Sequence, residues 1–250
     1  MKLSPEELER YARHIVLPEL GGGGQQALRS ARVLVVGAGG LGSPVIEYLA
    51  AAGVGHLTVV DDDVVSLSNL QRQTIHRTAD CGQPKVESAA RMVAALNPHV
   101  HFCGVPKRLT SDNGDALVSQ HDLVVDGCDN FATRYLLADL CEKHEKTLVT
   151  AAVGRFDATI TTLKPHCVDG EGLRYPRYRD IFPNQPPDGL LPTCEEAGII
   201  GALTGIIGSV QAMETIKEIV GIGDGLAGRL LLFDAKAFRW QEISAVRRKP

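Results

Sequence analysis

The residues with the clearest chemical potential lie between positions 37 and 85. They are a glycine-rich turn, Gly37-Ala38-Gly39-Gly40-Leu41-Gly42, a carboxylate at Asp61, the polar run Ser68-Asn69-Leu70-Gln71-Arg72-Gln73, and Lys85. A turn of this kind suits a phosphate-bearing ligand. Gly37 permits a tight bend, Gly39 lets backbone N–H groups approach a phosphate, and Gly42 lets a helix pack closely on a strand. The helix N-terminus that follows favours the anion. Asp61 stands where a carboxylate can accept hydrogen bonds from ribose hydroxyls. The bland reading is a sharp strand-to-helix turn and nothing more, but the flanking pattern and the acid agree on nucleotide binding.

Those flanks read as follows. Residues 32–36 form a β-branched run with the character of a buried parallel strand, residues 43–52 are helix-like and stop at Gly53, and residues 56–60 form a second strand ending at Asp61. Ser4-Pro5-Glu6-Glu7 has the form of a capping box with proline at the first helical position, and it predicts a helix with Leu8, Tyr11 and Ile15 on one face. Gly21 to Gly24 predict a flexible break. Beyond them the pattern predicts a helix over 85–96, a strand over 99–105, a short helix from Ser111, a strand over 122–126, a helix over 130–144 and a strand over 147–153. Residues 157–163 alternate like an antiparallel strand, residues 165–192 are proline-rich with little periodicity, a long helix is expected over 199–220, and residues 229–233 and 238–243 suit a hairpin. Strands alternating with helices imply an α/β fold with a mostly parallel sheet and helices on both faces, extended by antiparallel strands at the C-terminal end. A loop as long as 165–192 is usually functional, and it should lie over a binding surface.

Composition narrows the class. With 250 residues, 44% of them hydrophobic, the chain can bury a full core as one domain. A net charge of −4 supplies no global field for nucleic acid or an anionic membrane, and Arg247-Arg248-Lys249 is only a short basic end. The N-terminus lacks an apolar signal core, and residues 198–213, the nearest approach to a membrane span, run into Glu214 and Lys217. The 6 cysteines include no CxxC pair, which predicts a reduced, cytoplasmic protein without disulfides.

Several motifs stand in register: Arg10-Tyr11-Ala12-Arg13-His14-Ile15, the glycine turn, Asp61 through Gln73, Gly82-Gln83-Pro84-Lys85, and Asp126-Gly127-Cys128-Asp129-Asn130. In this order they resemble the MoeB/ThiF/HesA adenylyltransferases, bacterial relatives of ubiquitin-activating enzymes, and the likeness covers nearly the whole chain. It looks closest to the MoeB branch. The resemblance implies a Rossmann-like, ubiquitin-activating-enzyme-like fold in one adenylation domain over 1–250. Its parts would be a helical segment over about 4–30, a nucleotide core over about 31–153, a crossover loop over about 165–197, and a long helix with hairpin over about 198–246.

It further implies ATP-dependent adenylation of the C-terminal glycine of a small ubiquitin-like sulfur carrier of the MoaD type, in molybdenum cofactor biosynthesis. The same reaction on a ThiS-type carrier in thiamine biosynthesis is the alternative. By similarity, Arg72 and Lys85 take the phosphates. Ser68, Asn69, Leu70 and Gln71 add contacts, Gly40 lies against the nucleotide, Asp61 holds the ribose, and Asp129, with Asn130 beside it, is the Mg²⁺ ligand. Arg13 would reach the triphosphate of a neighbouring subunit, which implies a homodimer with composite sites. The chemistry suits such a set, because a terminal carboxylate is already ionised at neutral pH and the difficulty is electrostatic. Each residue also has an ordinary reading: Asp129-Asn130 as a helix cap, Arg13, Arg72 and Lys85 as solvated charges.

The sequence departs from the family at Pro176-Arg177-Tyr178-Arg179-Asp180, where relatives often carry the first CxxC of a structural zinc site. Arg177 and Asp180 occupy those positions, and no second pair follows Arg248. No zinc is expected. Cys194 aligns with a family cysteine that joins the activated carrier through sulfur in ThiF-like enzymes and is dispensable in MoeB-like ones; a lone cysteine is more often incidental. No sulfurtransferase segment is evident in the sequence, so sulfur is expected from elsewhere. Three other readings stay open: an NAD-dependent oxidoreductase, which gives Arg13, Asn69, Arg72 and Lys85 no role; a non-catalytic scaffold; and an adenylating enzyme acting on another carboxylate.

Overall fold

The computed structural model describes residues 3–187 and 198–248. The capping box forms as expected. Ser4 Oγ accepts from Glu7 N (3.2 Å) and Glu7 returns the bond to Ser4 N (2.8 Å), starting α1 (Pro5–Arg10). The helix does not run on, however. Tyr11 separates it from α2 (Ala12–Ile15), and Tyr11 is buried with its hydroxyl accepting from Asn97 Nδ2, whereas Leu8 is exposed. The expected common face is therefore only partly realised.

Residues 21–24 are not a break. They open α3 (Gly21–Ser30), in which Gln25 donates to Ala52 O (2.9 Å) and Leu28 is fully buried. Tertiary packing outweighs the low helix propensity of glycine here.

The core alternates strand and helix: β1 (Arg32–Val36), α4 (Gly42–Ala52), β2 (His56–Val60), α5 (Lys85–Leu96), β3 (His101–Val105), α6 (Ser111–Ser119), β4 (Leu123–Asp126), α7 (Phe131–Lys143) and β5 (Thr147–Gly154). After β6 (Asp157–Leu163) come a short α8 (Tyr178–Ile181), α9 (Gly201–Val220), β7 (Arg229–Asp234) and β8 (Arg239–Ser244). Among the described residues the eight strands form one sheet in the order β3-β2-β1-β4-β5-β6-β7-β8, parallel from β3 to β5 and antiparallel from β5 to β8. Val33 and Val35 face α3, α4, α5 and α9, while Leu34 and Val36 face α6 and α7, as the period-2 pleat requires. Among the described residues no helix is long and apolar enough to cross a membrane.

Register positions the site. Val36 pairs with Val60 on one side and Asp126 on the other, so Gly37, Asp61 and Gly127 leave the sheet side by side. Strand order reverses between β1 and β4, and open α/β sheets bind ligands at that point.

The described part of the crossover loop packs on α7. Arg179 pairs with Asp139 (2.6 Å), Tyr135 Oη donates to Phe182 O (2.9 Å), and Arg177 pairs with Asp180 (2.9 Å) at the two positions noted above. Burial would raise the Asp180 carboxyl, but Arg177 and the Arg248 N–H together hold it below the usual carboxylate range. Among the described residues no group of three or more His, Cys, Asp or Glu could hold a metal. Cys194 lies outside the described residues.

Candidate nucleotide-binding site

A cavity of about 480 Å³ opens at the carboxyl ends of the parallel strands. Its wall includes Gly37, Gly39, Gly40, Asp61, Arg72, Lys85, Asp129 and Asn130, eight positions singled out from the sequence.

The turn is built by close backbone approach. Gly37 has φ +101, and a Cβ there would lie 2.6 Å from Gly127 O; a Cβ on Gly42 would lie 2.0 Å from Gly37 O. Only glycine fits at either position. At Gly39, by contrast, an added Cβ would meet nothing nearer than Gln73 Nε2 at 3.8 Å, so the room beside it belongs to the cavity. Among the described residues the N–H groups of Gly39, Gly40 and Leu41 have no acceptor, and α4 has no side-chain cap. Unspent donors at a helix N-terminus form an anion cradle.

Asp61 closes this turn from β2. Its Oδ2 accepts from Ala38 N (2.7 Å) and its Oδ1 from Asp63 N (2.9 Å). Burial raises its carboxyl above the ordinary value, against the opposing pull of Lys85 and the two N–H groups. Lys85, first residue of α5, is buried with Nζ 2.8 Å from Asp63 Oδ2. It is therefore a held cation rather than a solvated one. Beneath it, His76 joins Ala38 O (3.0 Å) to Ser88 Oγ (2.8 Å), tying the turn to α5.

Asp129 and Asn130 divide their duties. Asn130 Oδ1 accepts from Thr133 N (2.9 Å) and caps α7, while Asp129 is exposed on the wall, with no hydrogen bond or ion pair among the described residues. The loop that carries them is anchored by buried Arg134, which binds Asp126 Oδ2 (2.8 Å), Cys128 O (2.8 Å) and Ala151 O (3.0 Å). Burial works against the Arg134 charge, and the Asp126 carboxylate more than restores it.

The remaining expected residues are not on the wall. Gly42 packs behind the turn. Asn69 is buried, and its carbonyl accepts from Arg72 N (3.1 Å) and Gln73 N (3.0 Å); Ser68 O accepts from the Arg72 guanidinium (3.2 Å), while Leu70 and Gln71 continue the turn. The run 68–73 thus works as a scaffold that presents Arg72 and Gln73 to the cavity. Arg13 is exposed on α2 and is not part of the wall.

Sequence reasoning passed over Lys107, Arg108, Phe131, Arg134, Arg155 and Thr204, all of which line the cavity. Lys107 and Arg108 lie two and three residues past the end of β3, and the strand-end rule could have flagged them. Arg155 sits in the β5–β6 turn and Thr204 on α9; no local signal marks either. A smaller cavity of about 240 Å³ adjoins, sharing Phe131, Arg134 and Ala152 and lined on its far side by Phe182, Pro183 and Pro186 of the crossover loop.

Comparison with known proteins gives three kinds of likeness. The model of the ThiF family matches residues 11–250. The chain is 46% identical over 250 residues to the sulfur carrier protein adenylyltransferase of Thermus thermophilus, covering 100% of this chain and 91% of that protein. It is 45% identical over 248 residues to the probable adenylyltransferase/sulfurtransferase MoeZ of Mycobacterium tuberculosis, covering 99% of this chain but 62% of that one. The chain thus spans less than two thirds of that relative's length. Among solved structures, Escherichia coli MccB has the same fold, with a TM-score of 0.82 at 18% identity over 98% of this chain and 72% of that one.

Proposed function

We propose that this chain, which belongs to the ThiF family, uses ATP to adenylate the C-terminal glycine carboxylate of a small ubiquitin-like sulfur carrier of the MoaD type, releasing pyrophosphate. The carrying observation is the meeting of unspent N–H donors at residues 39–41 with Arg72, Lys85 and a free Asp129 in one cavity. Two relatives carry adenylyltransferase names, and one of these names a sulfur carrier as its target.

The nucleophile arrives as an anion and must approach a polyanionic nucleotide, so the protein's task is to fix positive charge in advance. The N–H groups of residues 39–41 cradle phosphate oxygens, and Arg72 and Lys85 neutralise the triphosphate. Lys85 is pre-set by Asp63, so little reorganisation is needed when charge shifts to departing pyrophosphate. Asp61 accepts from the ribose with the capacity its two backbone partners leave. A single free carboxylate suits Mg²⁺, which commonly binds through one or two carboxylates plus substrate phosphates. Asp129 would hold that ion, whose contribution is to neutralise charge on the phosphates. Arg13, away from the wall of its own cavity, reaches the site of a second subunit in a cytoplasmic homodimer.

Pyrophosphate exchange into ATP tests the proposal. Purified protein with Mg²⁺ is given a MoaD-type carrier, a ThiS-type carrier, and each carrier without its terminal glycine. Exchange with the intact MoaD-type carrier alone is expected. Exchange only with the ThiS-type carrier would move the chain to thiamine biosynthesis, and none with either, despite ATP binding, would sink carrier adenylation.

A further inference from the structure

Two other buried glutamines spend at least one end of their amides inside the fold. Gln25 lies 3.0 Å from His14 Nδ1 and donates to Ala52 O; Gln211 Nε2 donates to Asp126 O and Val149 O, although its Oε1 has no partner. Gln73 spends neither end. It is 4% exposed and lines the main cavity, its Oε1 has no hydrogen-bond partner, and among the described residues no bond to Nε2 is formed either. Leaving a buried amide unmet costs stability, and native structures rarely do so without a reason.

Its backbone is well held, with Gln73 N donating to Asn69 O (3.0 Å) and Gln73 O accepting from His76 N (3.1 Å). Its Nε2 is the atom that an added Cβ on Gly39 would meet. The carboxamide therefore sits beside the turn whose N–H groups are also unspent. Lys85 has a partner in Asp63 and Arg72 one in Ser68 O, so each cation is committed in part within the chain. Gln73 is a neutral, directional donor that needs no counter-charge while the cavity is empty.

We infer that Gln73 binds phosphate, its carboxamide donating to an oxygen of the nucleotide seated at residues 39–41. This rests on the nucleotide reading above and adds a residue and a role to it. Nε2, unspent in the free protein, gains an acceptor in the complex, whereas Oε1, itself an acceptor, gains nothing from the phosphate.

The test compares wild type with Gln73→Leu and Gln73→Glu by thermal unfolding without ligand and by calorimetric titration with ATP·Mg²⁺ and with adenosine. Gln73→Leu should unfold at or above the wild-type temperature, bind ATP about 10- to 100-fold more weakly, and bind adenosine unchanged. Gln73→Glu should bind ATP more weakly still, because it sets like charge against the phosphates. Wild-type ATP affinity in both variants would overturn the inference, as would a lowered unfolding temperature for Gln73→Leu, since the amide would then belong to the fold. A wild type that binds no ATP would instead remove the nucleotide reading itself, and this inference with it.

Discussion

Asp61 shows how much one side chain can report. Its carboxylate takes two backbone N–H groups and still faces the cavity, and burial lifts its pKa above the ordinary carboxylate range. A raised native pKa means that the folded chain holds the proton more tightly than the unfolded chain does. The stability Asp61 contributes is therefore fully present below its unfolded pKa and is lost as pH rises through the raised one. Nucleotide affinity should run the other way, because the ionised carboxylate is the better acceptor for ribose. Lowering the pH from neutrality into the carboxylate range should relatively stabilise the ligand-free wild type against Asp61→Asn, while the wild type loses its advantage in ATP affinity. Unfolding temperatures and ATP titrations of both proteins across that range check this; differences that stay constant with pH would refute it.

At the scale of elements, the glycine turn does two separable jobs. Gly42 lets α4 close on the end of β1, where an added Cβ would lie 2.0 Å from Gly37 O, whereas Gly39 borders the cavity with only Gln73 Nε2 within 4 Å. Gly42→Ala should cost about 1–3 kcal/mol of stability through the backbone shift it forces. Gly39→Ala should unfold near the wild-type temperature and yet bind ATP more weakly, because its methyl occupies the ligand's room. Thermal unfolding beside ATP titration separates the two, and a Gly39→Ala protein that both unfolds early and binds normally would invert the assignment.

At the scale of the whole molecule, the cavity lacks Arg13. The residue is exposed on α2, off the wall that holds Arg72 and Lys85. If a second subunit supplies it, Arg13→Ala and Lys85→Ala should each depress carrier-dependent pyrophosphate exchange by about 10²- to 10³-fold. The two variants, co-expressed with different tags and purified through both, should recover about half of the wild-type rate, since one of the two sites in a C₂ dimer then pairs an intact Arg13 with an intact Lys85. Failure to recover would place Arg13 outside the partner's site.

Much of this arrangement is local in origin and so was legible in the chain. The β-branched run 32–36, the capping box at Ser4 and Glu7, the start of α5 at Lys85 and the antiparallel turn to 157–163 all follow from near-neighbour preferences and hydrophobic period, and each forms at or within a few residues of its expected place. The sequence by itself determined the α/β alternation, the glycine turn and its acid, because these depend on backbone freedom and spacing. Only the tertiary structure decided that residues 21–24 are helical, since burial of Gln25 and Leu28 outweighs what four glycines prefer in isolation. It alone placed Arg155 and Thr204 on the cavity wall and held Ser68, Asn69, Leu70 and Gln71 back as scaffold. Which side chains share a cavity depends on strand register and helix packing between residues distant in sequence, and those contacts form only when the sheet does.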